Sequence, residues 1–452
     1  MLVFEFRAYA KSAQFVAIDE AIRATQFIRN KCIRFWMDNP KVGKYELSKQ
    51  CAILAAEFPF ANNLNSMARQ AAAERAWAAI SRFYDNCKKR LAPVGFPDAK
   101  SGCAPDGFPV QKSAPSSETR QKISGLKAKS AVLGFPQVEH LFKTGFPSFQ
   151  KDNRSVEYKT TGWKLAEDRK SITITDKIGI GKLRLKGTRD LNFYQPDQIK
   201  RVRLVKRADG YYVQFCISVD REETILPTKN TVGLDMGLNH FYTDSSGEQV
   251  ENPRFYRKAE KSMKRSQRLV SRKKKSSSNR RKARVKLSKI HLKISRQRKD
   301  HAIKLARCVV QSNDLIAYEN LSVKNMARNH CLAKSISDAG WYQFRVWLEY
   351  FGKVFGRATV AVNPAYTSQE CSSCGVIVKK SLSTRTHVCQ CGCVLDRDEN
   401  AAINILNKGL STVGHTGRSA LDADNAWGDT PSTLAGENLS GQGMSRSQES
   451  PV

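Results

Sequence analysis

Three acidic residues occupy positions from which carboxylates can converge. Asp235 ends the short apolar run TVGLD at 231–235 and Glu319 ends a second, LIAYE at 315–319. Asp398 lies in DRDENAA at 396–402, the opening of an amphipathic helix. Adjacent strands bring their ends together, and a helix facing the sheet can add a third acid. Such a trio suits two hard divalent cations about 3.5–4 Å apart, because carboxylate oxygens offset their charge and leave positions for water and a phosphodiester. The spacing leaves two candidates for the third acid. Asp396 is placed to cap the helix, whereas Asp398 falls in its first turn, on the face of Ala402 and Ile405. Small Ala401 and Ala402 would let that helix come close to a sheet.

Just upstream stand two cysteine clusters, Cys371-x-x-Cys374-Gly375 and Cys389-x-Cys391-Gly392-Cys393. Four thiolates at about 2.3 Å would hold one tetrahedral zinc, and the simplest set is Cys371, Cys374, Cys389 and Cys391. The second pair is Cys-x-Cys, so Cys393 competes for the fourth position. Four thiolates leave no open coordination site, and the zinc would be structural. Cys32, Cys51, Cys87, Cys216 and Cys308 lie singly in apolar patterns and read as reduced core thiols.

The elements that must position these groups follow from periodicity. Residues 1–10 alternate as a strand, and three helical stretches follow at 15–37, 46–57 and 66–90. From 91 to 150 the composition turns to Pro, Gly, Ser and Lys, with Gly-Phe-Pro recurring at Gly95, Gly107, Gly134 and Gly145. The irregular spacing excludes a solenoid and predicts a looped or disordered insertion. Period-two runs return between 155 and 219, separated by turn signals such as Ala208-Asp209-Gly210, and predict antiparallel strands closing on the first. Residues 257–299 are overwhelmingly basic, with a break at Ser276-Ser277-Ser278-Asn279, and predict two antiparallel helices. A helix at 339–355, a strand at 358–362 and a disordered tail at 409–452 complete the chain.

The formal net charge is +34 over 452 residues. A surplus that large calls for a polyanionic partner, and nucleic acid fits best. Acids are nearly absent from 257–299, so few ion pairs can form there and phosphate neutralisation follows, with steeply salt-dependent binding. There is no apolar run of about 18 residues, no signal peptide pattern and no lipidation motif, which predicts an intracellular protein without a membrane anchor.

The positions of Asp235, Glu319 and the block from CSSCG to DRDENAAINIL resemble the TnpB (OrfB) proteins of insertion sequences, relatives of the type V CRISPR effectors. ARQAAAERAWAAISRFYDNCKKR, FQKDNRSVEYKTTGWKL, GLDMGLNHFYTDSSG, YENLSVKNM and AVNPAYTSQECSSCG extend the likeness over most of residues 1–410. The resemblance implies a multidomain α+β protein. Its parts would be a wedge-like β-barrel (1–14 and 151–228), a helical recognition insertion (15–90), a ribonuclease H-like (RuvC) α/β nuclease domain (229–365 and 394–408) and an inserted zinc ribbon (366–393). It implies an RNA-guided DNA endonuclease with Asp235, Glu319 and Asp398 as catalytic ligands of two Mg2+, since the second Asp of Asp-x-Asp is catalytic in related nucleases. The implied partners are a guide RNA from the transposon end and double-stranded target DNA, in a prokaryotic cytoplasm at the nucleoid. The order Asp, Glu, Asp separates the chain from DDE transposases. The runner-up function is a non-cutting nucleic-acid binder, a guided repressor or a regulator of transposition. A third reading, a resolvase-like enzyme working without RNA, has no need of the basic hairpin. The chain departs from the family pattern at the Gly-Phe-Pro insertion and the Cys-x-Cys knuckle.

Overall fold

The computed structural model describes residues 2–39, 41–91, 145–381 and 384–415. The first three Gly-Phe-Pro repeats and residues 416–452 therefore lie outside the described residues, as do most of the expected insertion and tail.

Strand β1 (Leu2–Tyr9) opens the chain. Helices α1 (Ser12–Asp38), α2 (Lys44–Glu57), α3 (Pro59–Asn62) and α4 (Ser66–Leu91) follow, then strands β2 (Ser155–Lys159), β3 (Trp163–Leu165), β4 (Ser171–Ile174) and β5 (Gly181–Lys186). Residues 10–184 make one compact unit. Its helices pack through the apolar stripes that the sequence shows, burying Ile18, Ile28 and Ile33 of α1 and Leu47 and Leu54 of α2. Trp36 donates from Nε1 to the Tyr84 hydroxyl at 2.9 Å and stacks edge-on with Phe83. The fourth Gly-Phe-Pro segment is ordered, with Phe146 against both Trp36 and Phe83. Glu157 of β2, nearly buried, is paired with Arg75 of α4 at 3.4 Å. Short β3 escapes the period-two reading because three residues carry too little alternation.

Residues 1–9 and 185–452 form the second unit. Strands β6 (Ile199–Arg207) and β7 (Gly210–Ile217) make a hairpin at the predicted Ala208-Asp209-Gly210 turn, and β7 pairs antiparallel with β1. Glu5 on β1 accepts Gln214 Nε2 at 2.8 Å and Arg207 Nη2 at 2.5 Å. The strands expected to close into a barrel form an open, half-barrel sheet instead.

A five-stranded sheet follows, built from β8 (Thr231–Asp235), β9 (His240–Asp244), β10 (Gln249–Glu251), β11 (Leu315–Glu319) and β12 (Ala358–Val362), with helices between and after its strands. The spatial order is β10-β9-β8-β11-β12. The first three strands form an antiparallel meander, whereas β8, β11 and β12 run parallel. Between β10 and β11 lie α5 (Phe255–Arg272) and α6 (Ser278–Ser312), longer than the 257–299 expected because α6 continues into the core through Ala302, Ile303, Ala306, Val309 and Val310. Cys308 falls off that stripe and is exposed, against the expectation of a core thiol. Between β11 and β12 come α7 (Val323–Met326), α8 (Ala333–Ala339) and α9 (Trp341–Phe355). The helix expected at 339–355 is α9, which starts after Gly340, whose φ of +73° ends α8, a helix the sequence did not predict.

Strands β13 (Thr386–Val388) and β14 (Val394–Asp396) form a small antiparallel ribbon, and α10 (Arg397–His415) closes the described chain. Residues 409–415 were expected in the tail but are helical. Ile405, Gly409 and Val413 recur every four residues on one face, and Val413 packs with Leu315, Ala317 and Ile405. The parallel strands are thus covered on both faces. Val232, Leu234, Ile316 and Tyr318 pack with α6 and α9, while Leu315, Ala317, Val360 and Val362 pack under α10.

A carboxylate site beside a four-cysteine cluster

Alternation along the strands decides where the acids go. Val232 and Leu234 face the α6 and α9 side, so Gly233 and Asp235 face α10; by the same count Ile316 and Tyr318 face one side and Glu319 the other. The parallel register pairs Ala317 with Gly233 and Tyr318 with Leu234, which sets Glu319 abreast of Asp235 on strands about 4.8 Å apart. α10 crosses this face at very close range: a Cβ on Gly233 would stand 2.1 Å from the Ala402 carbonyl oxygen and 2.7 Å from the Leu406 nitrogen. Ala401 and Ala402 are buried as expected of a close-packing helix.

Asp396 and Asp398 divide their roles at the helix start. Asp396 Oδ1 accepts the backbone N–H of Asp398 at 2.8 Å and of Glu399 at 3.4 Å, the geometry of an N-cap. The Asp398 carboxylate is held by Arg397 (Nε to Oδ1 3.0 Å, Nη2 to Oδ1 2.9 Å) and by Arg385 (Nη1 to Oδ2 3.4 Å).

The electrostatics match that arrangement. Burial pushes the Asp235 carboxyl well above the usual carboxylate range, and the charges of Glu319 and then Asp398 push it the same way, with Arg397 opposing. Burial also raises Glu319, 7 % exposed, against the hydrogen bond from Thr367 and the charge of Lys408. Thr367 Oγ1 donates to Glu319 Oε1 at 2.6 Å. The three carboxylates do not close into one cluster: among the described residues, the four cysteines alone form a group of three or more with ligating atoms all within 4.8 Å of one another.

The cysteine cluster comprises Cys371, Cys374, Cys389 and Cys391. Its Sγ–Sγ separations of 3.7 Å (Cys371 to Cys391) and 3.6 Å (Cys374 to Cys389) match the edge of about 3.8 Å that a tetrahedron with 2.3 Å zinc–sulfur bonds requires. Cys393 is outside the cluster, and its carbonyl instead accepts the Cys389 N–H at 3.0 Å. The positive φ values of Gly375 (+76°) and Gly392 (+87°) turn the two knuckles.

Three residues the sequence reading passed over tie this cluster to the acids. Asn400 Oδ1 accepts the Ser372 N–H at 3.0 Å, while its Nδ2 donates to the Glu370 carbonyl at 2.8 Å. Asn404 Nδ2 donates to the carbonyls of Thr367 (2.9 Å) and Glu370 (2.7 Å). Both asparagines are buried inside α10, and Thr367 joins them to Glu319. Polar residues one turn apart on the face of an otherwise apolar helix were the available signal.

Comparison with known proteins bears on two adjoining regions. Residues 214–330 match the OrfB_IS605 family, described as "Probable transposase", and residues 341–405 match the "Cas12f1-like, TNB domain" family. A Streptomyces pristinaespiralis protein named "Putative RNA-guided DNA endonuclease" is 40% identical over 203 residues, covering 44% of this chain and 50% of its own length. The Escherichia coli K12 protein "Putative RNA-guided DNA endonuclease InsQ" is 29% identical over 316 residues, 66% of this chain and 75% of its own length. The chain thus spans half of the first relative and three quarters of the second. Among solved structures, a Cas12f1-sgRNA-target DNA complex aligns over 90% of this chain and 98% of its own at 13% identity, with a TM-score of 0.43. The two adjoining matches and these relatives make the chain similar to the OrfB_IS605 (TnpB) proteins.

Proposed function

We propose that this chain is an RNA-guided DNA endonuclease with a ribonuclease H-like (RuvC-type) nuclease region at 229–365 and 394–408. The observation that carries this reading is the parallel register that sets Asp235 beside Glu319 on the sheet face covered by α10, where Asp398 sits. The meander-then-parallel strand order supports the same fold. The names of the relatives supply the RNA-guided DNA endonuclease class. The wedge (1–14 and 151–228), the helical recognition region (15–90) and the zinc ribbon (366–393) are the accompanying assignments, with the Gly-Phe-Pro insertion at 91–150 and a tail beyond α10.

Asp235, Glu319 and Asp398 would hold two Mg2+, which when bound supply charge stabilisation at the scissile phosphate and a more acidic water. The protein's own contribution is positional. Glu319 is fixed by Thr367, and Asp398 by a helix that Asp396 caps and Asn400 and Asn404 tie to the ribbon. Arg397 and Arg385 offset the Asp398 charge. Cys371, Cys374, Cys389 and Cys391 would hold one structural Zn2+.

The basic hairpin supplies the grip. Glu260 is the single acid of α5 and Asp300 the single acid of α6, and burial along α6 begins only at Ile294. The preceding turns offer Lys and Arg to phosphates, while base pairing with a guide RNA supplies the sequence choice. The test is to purify the protein with its bound RNA and measure Mg2+-dependent cutting of matching duplex DNA beside an Asp235→Ala variant. Guided cutting abolished by Asp235→Ala is expected. Cutting that survives it removes the assigned site, cutting without RNA favours a resolvase-like enzyme, and guided binding without cutting favours a repressor.

A further inference from the structure

Tyr366 stands in the segment that joins β12 to the ribbon, with φ at +63°. For an aromatic residue the left-handed region is costly, because Cβ crowds the backbone, and glycine or asparagine would occupy it more easily. Burial of the ring gives little in return. Tyr366 is 60% exposed, and among the described residues its ring makes no aromatic or cation contact. The backbone on both sides is nonetheless fixed. The Tyr366 carbonyl accepts the N–H groups of Gln369 (3.0 Å) and Glu370 (2.9 Å), and the Ala365 carbonyl accepts Lys408 Nζ at 3.1 Å. The next residue, Thr367, donates to the Pro364 carbonyl at 3.2 Å and to Glu319 at 2.6 Å. An exposed ring is thus carried on a rigid, strained support one residue from the group that positions a site carboxylate. Strain of this kind, held by surrounding hydrogen bonds, concentrates at functional positions.

We propose that Tyr366 is a strand-positioning residue, its ring a platform on which one unpaired base of the DNA strand entering the carboxylate site stacks. This rests on the nuclease reading above. In a guided nuclease, pairing of one target strand with the RNA displaces the other as a single strand, and aromatic stacking holds such a strand whatever its sequence. That tolerance is needed where a guide, and not the protein, chooses the target. Lys408, bonded to the Ala365 carbonyl and to Glu370 Oε2 at 3.1 Å, puts a cation beside the platform.

The experiment uses the RNA-bound protein as purified, with EDTA present to prevent cutting, and a short single-stranded oligonucleotide carrying 5-iodo-deoxyuridine. Irradiation couples the iodinated base to a ring stacked on it, and mass spectrometry locates the adduct. The expected result is an adduct on the peptide containing Tyr366, retained in Tyr366→Phe. With Mg2+ and a matching duplex, Tyr366→Gly should cut more slowly by about tenfold or more while Tyr366→Phe cuts normally. Because glycine relieves the positive φ, Tyr366→Gly should unfold at an equal or higher temperature than the wild type, which a merely structural tyrosine would not allow. An adduct found only elsewhere, with Tyr366→Gly cutting at the wild-type rate, overturns the inference and leaves the nuclease reading intact. An adduct at Tyr366 in a protein that never cuts supports the platform and removes the nuclease.

Discussion

Gly233 of β8 lies so close beneath Ala402 of α10 that an added Cβ would be 2.1 Å from the Ala402 carbonyl oxygen. Both neighbours within 2.7 Å are backbone atoms, which no rotamer change can move aside. Asp235 is two residues from Gly233 on one strand and Asp398 four residues from Ala402 on the helix, so this contact sets the depth at which the third acid meets the first two. Gly233→Ala is expected to lift α10 from the sheet, costing about 1–3 kcal/mol of stability or more. A displacement near 1 Å at the site should lower cutting about 100-fold. Denaturant unfolding and a cleavage assay at a temperature where the variant is folded check the two effects separately. Full activity in a folded Gly233→Ala protein would show that α10 does not set the geometry of the acids.

The carboxylates give the metal-free protein a pH dependence of definite sign. Asp235 and Glu319 are both raised above the ordinary carboxylate value near 4. A raised folded pKa means the native state binds the proton more tightly than the unfolded chain. The associated stability is present below about pH 4 and is lost as pH rises through the folded values. Asp235→Asn removes the carboxyl whose pKa burial, and then the charges of Glu319 and Asp398, raise well above its ordinary value. Without Mg2+ the variant should therefore gain melting temperature over the wild type as pH is raised from 4 to 8. Adding Mg2+ should reverse the ranking, because only the wild type retains the full set of ligands. Calorimetry across that range, with and without Mg2+, measures both trends, and a pH-independent difference would contradict the crowding of the acids.

The acids were legible in the sequence because each property that places them is local. The short apolar runs TVGLD and LIAYE end on Asp235 and Glu319, whereas the spacing left Asp396 and Asp398 both open until the structure showed Asp396 capping the helix. The basic hairpin and the cysteine set were legible for the same reason. Gly233 was not, since a glycine within a strand acquires meaning only from what crosses it, here a helix some 170 residues later in the chain. Thr367, Asn400 and Asn404 were also missed: each is an ordinary polar residue until the ribbon folds back and offers Glu319 or open carbonyls as partners. The end of α10 was set too early, at 408, because its last turns owe their helicity to packing on Leu315 and Ala317 more than to their own composition.

The shortened second knuckle makes a prediction about zinc. Cys391 is in the thiol cluster and Cys393 is not, although Cys393 restores the familiar cysteine density. Zinc content, measured on purified protein by elemental analysis, should fall in Cys391→Ser and hold in Cys393→Ser. The loss should reach the nuclease region, since Asn400 and Asn404 fasten α10 to residues 367–372 next to the first knuckle. Cys391→Ser is therefore expected to lower cutting at least about tenfold as the helix start loses its support. Equal zinc loss in both variants would return Cys393 to the ligand set.

The hairpin of α5 and α6 makes the last prediction. Lys282, Lys286 and Lys289 are exposed, lie three or four residues apart on α6, and precede Ile294, where its burial begins. No core contact depends on them, so replacing all three by glutamine should change the melting temperature by no more than a degree or two. If each neutralises one phosphate of a duplex, removing it lowers the slope of log affinity against log salt by about 0.9. The triple variant should accordingly bind less tightly at low salt, with a slope smaller by up to about 2.7, and converge with the wild type as salt rises. Titrations of the RNA-bound protein with duplex DNA from low to moderate ionic strength read that slope directly. An unchanged slope would mean that these lysines form only a solvated face and that the phosphate grip lies on other basic residues.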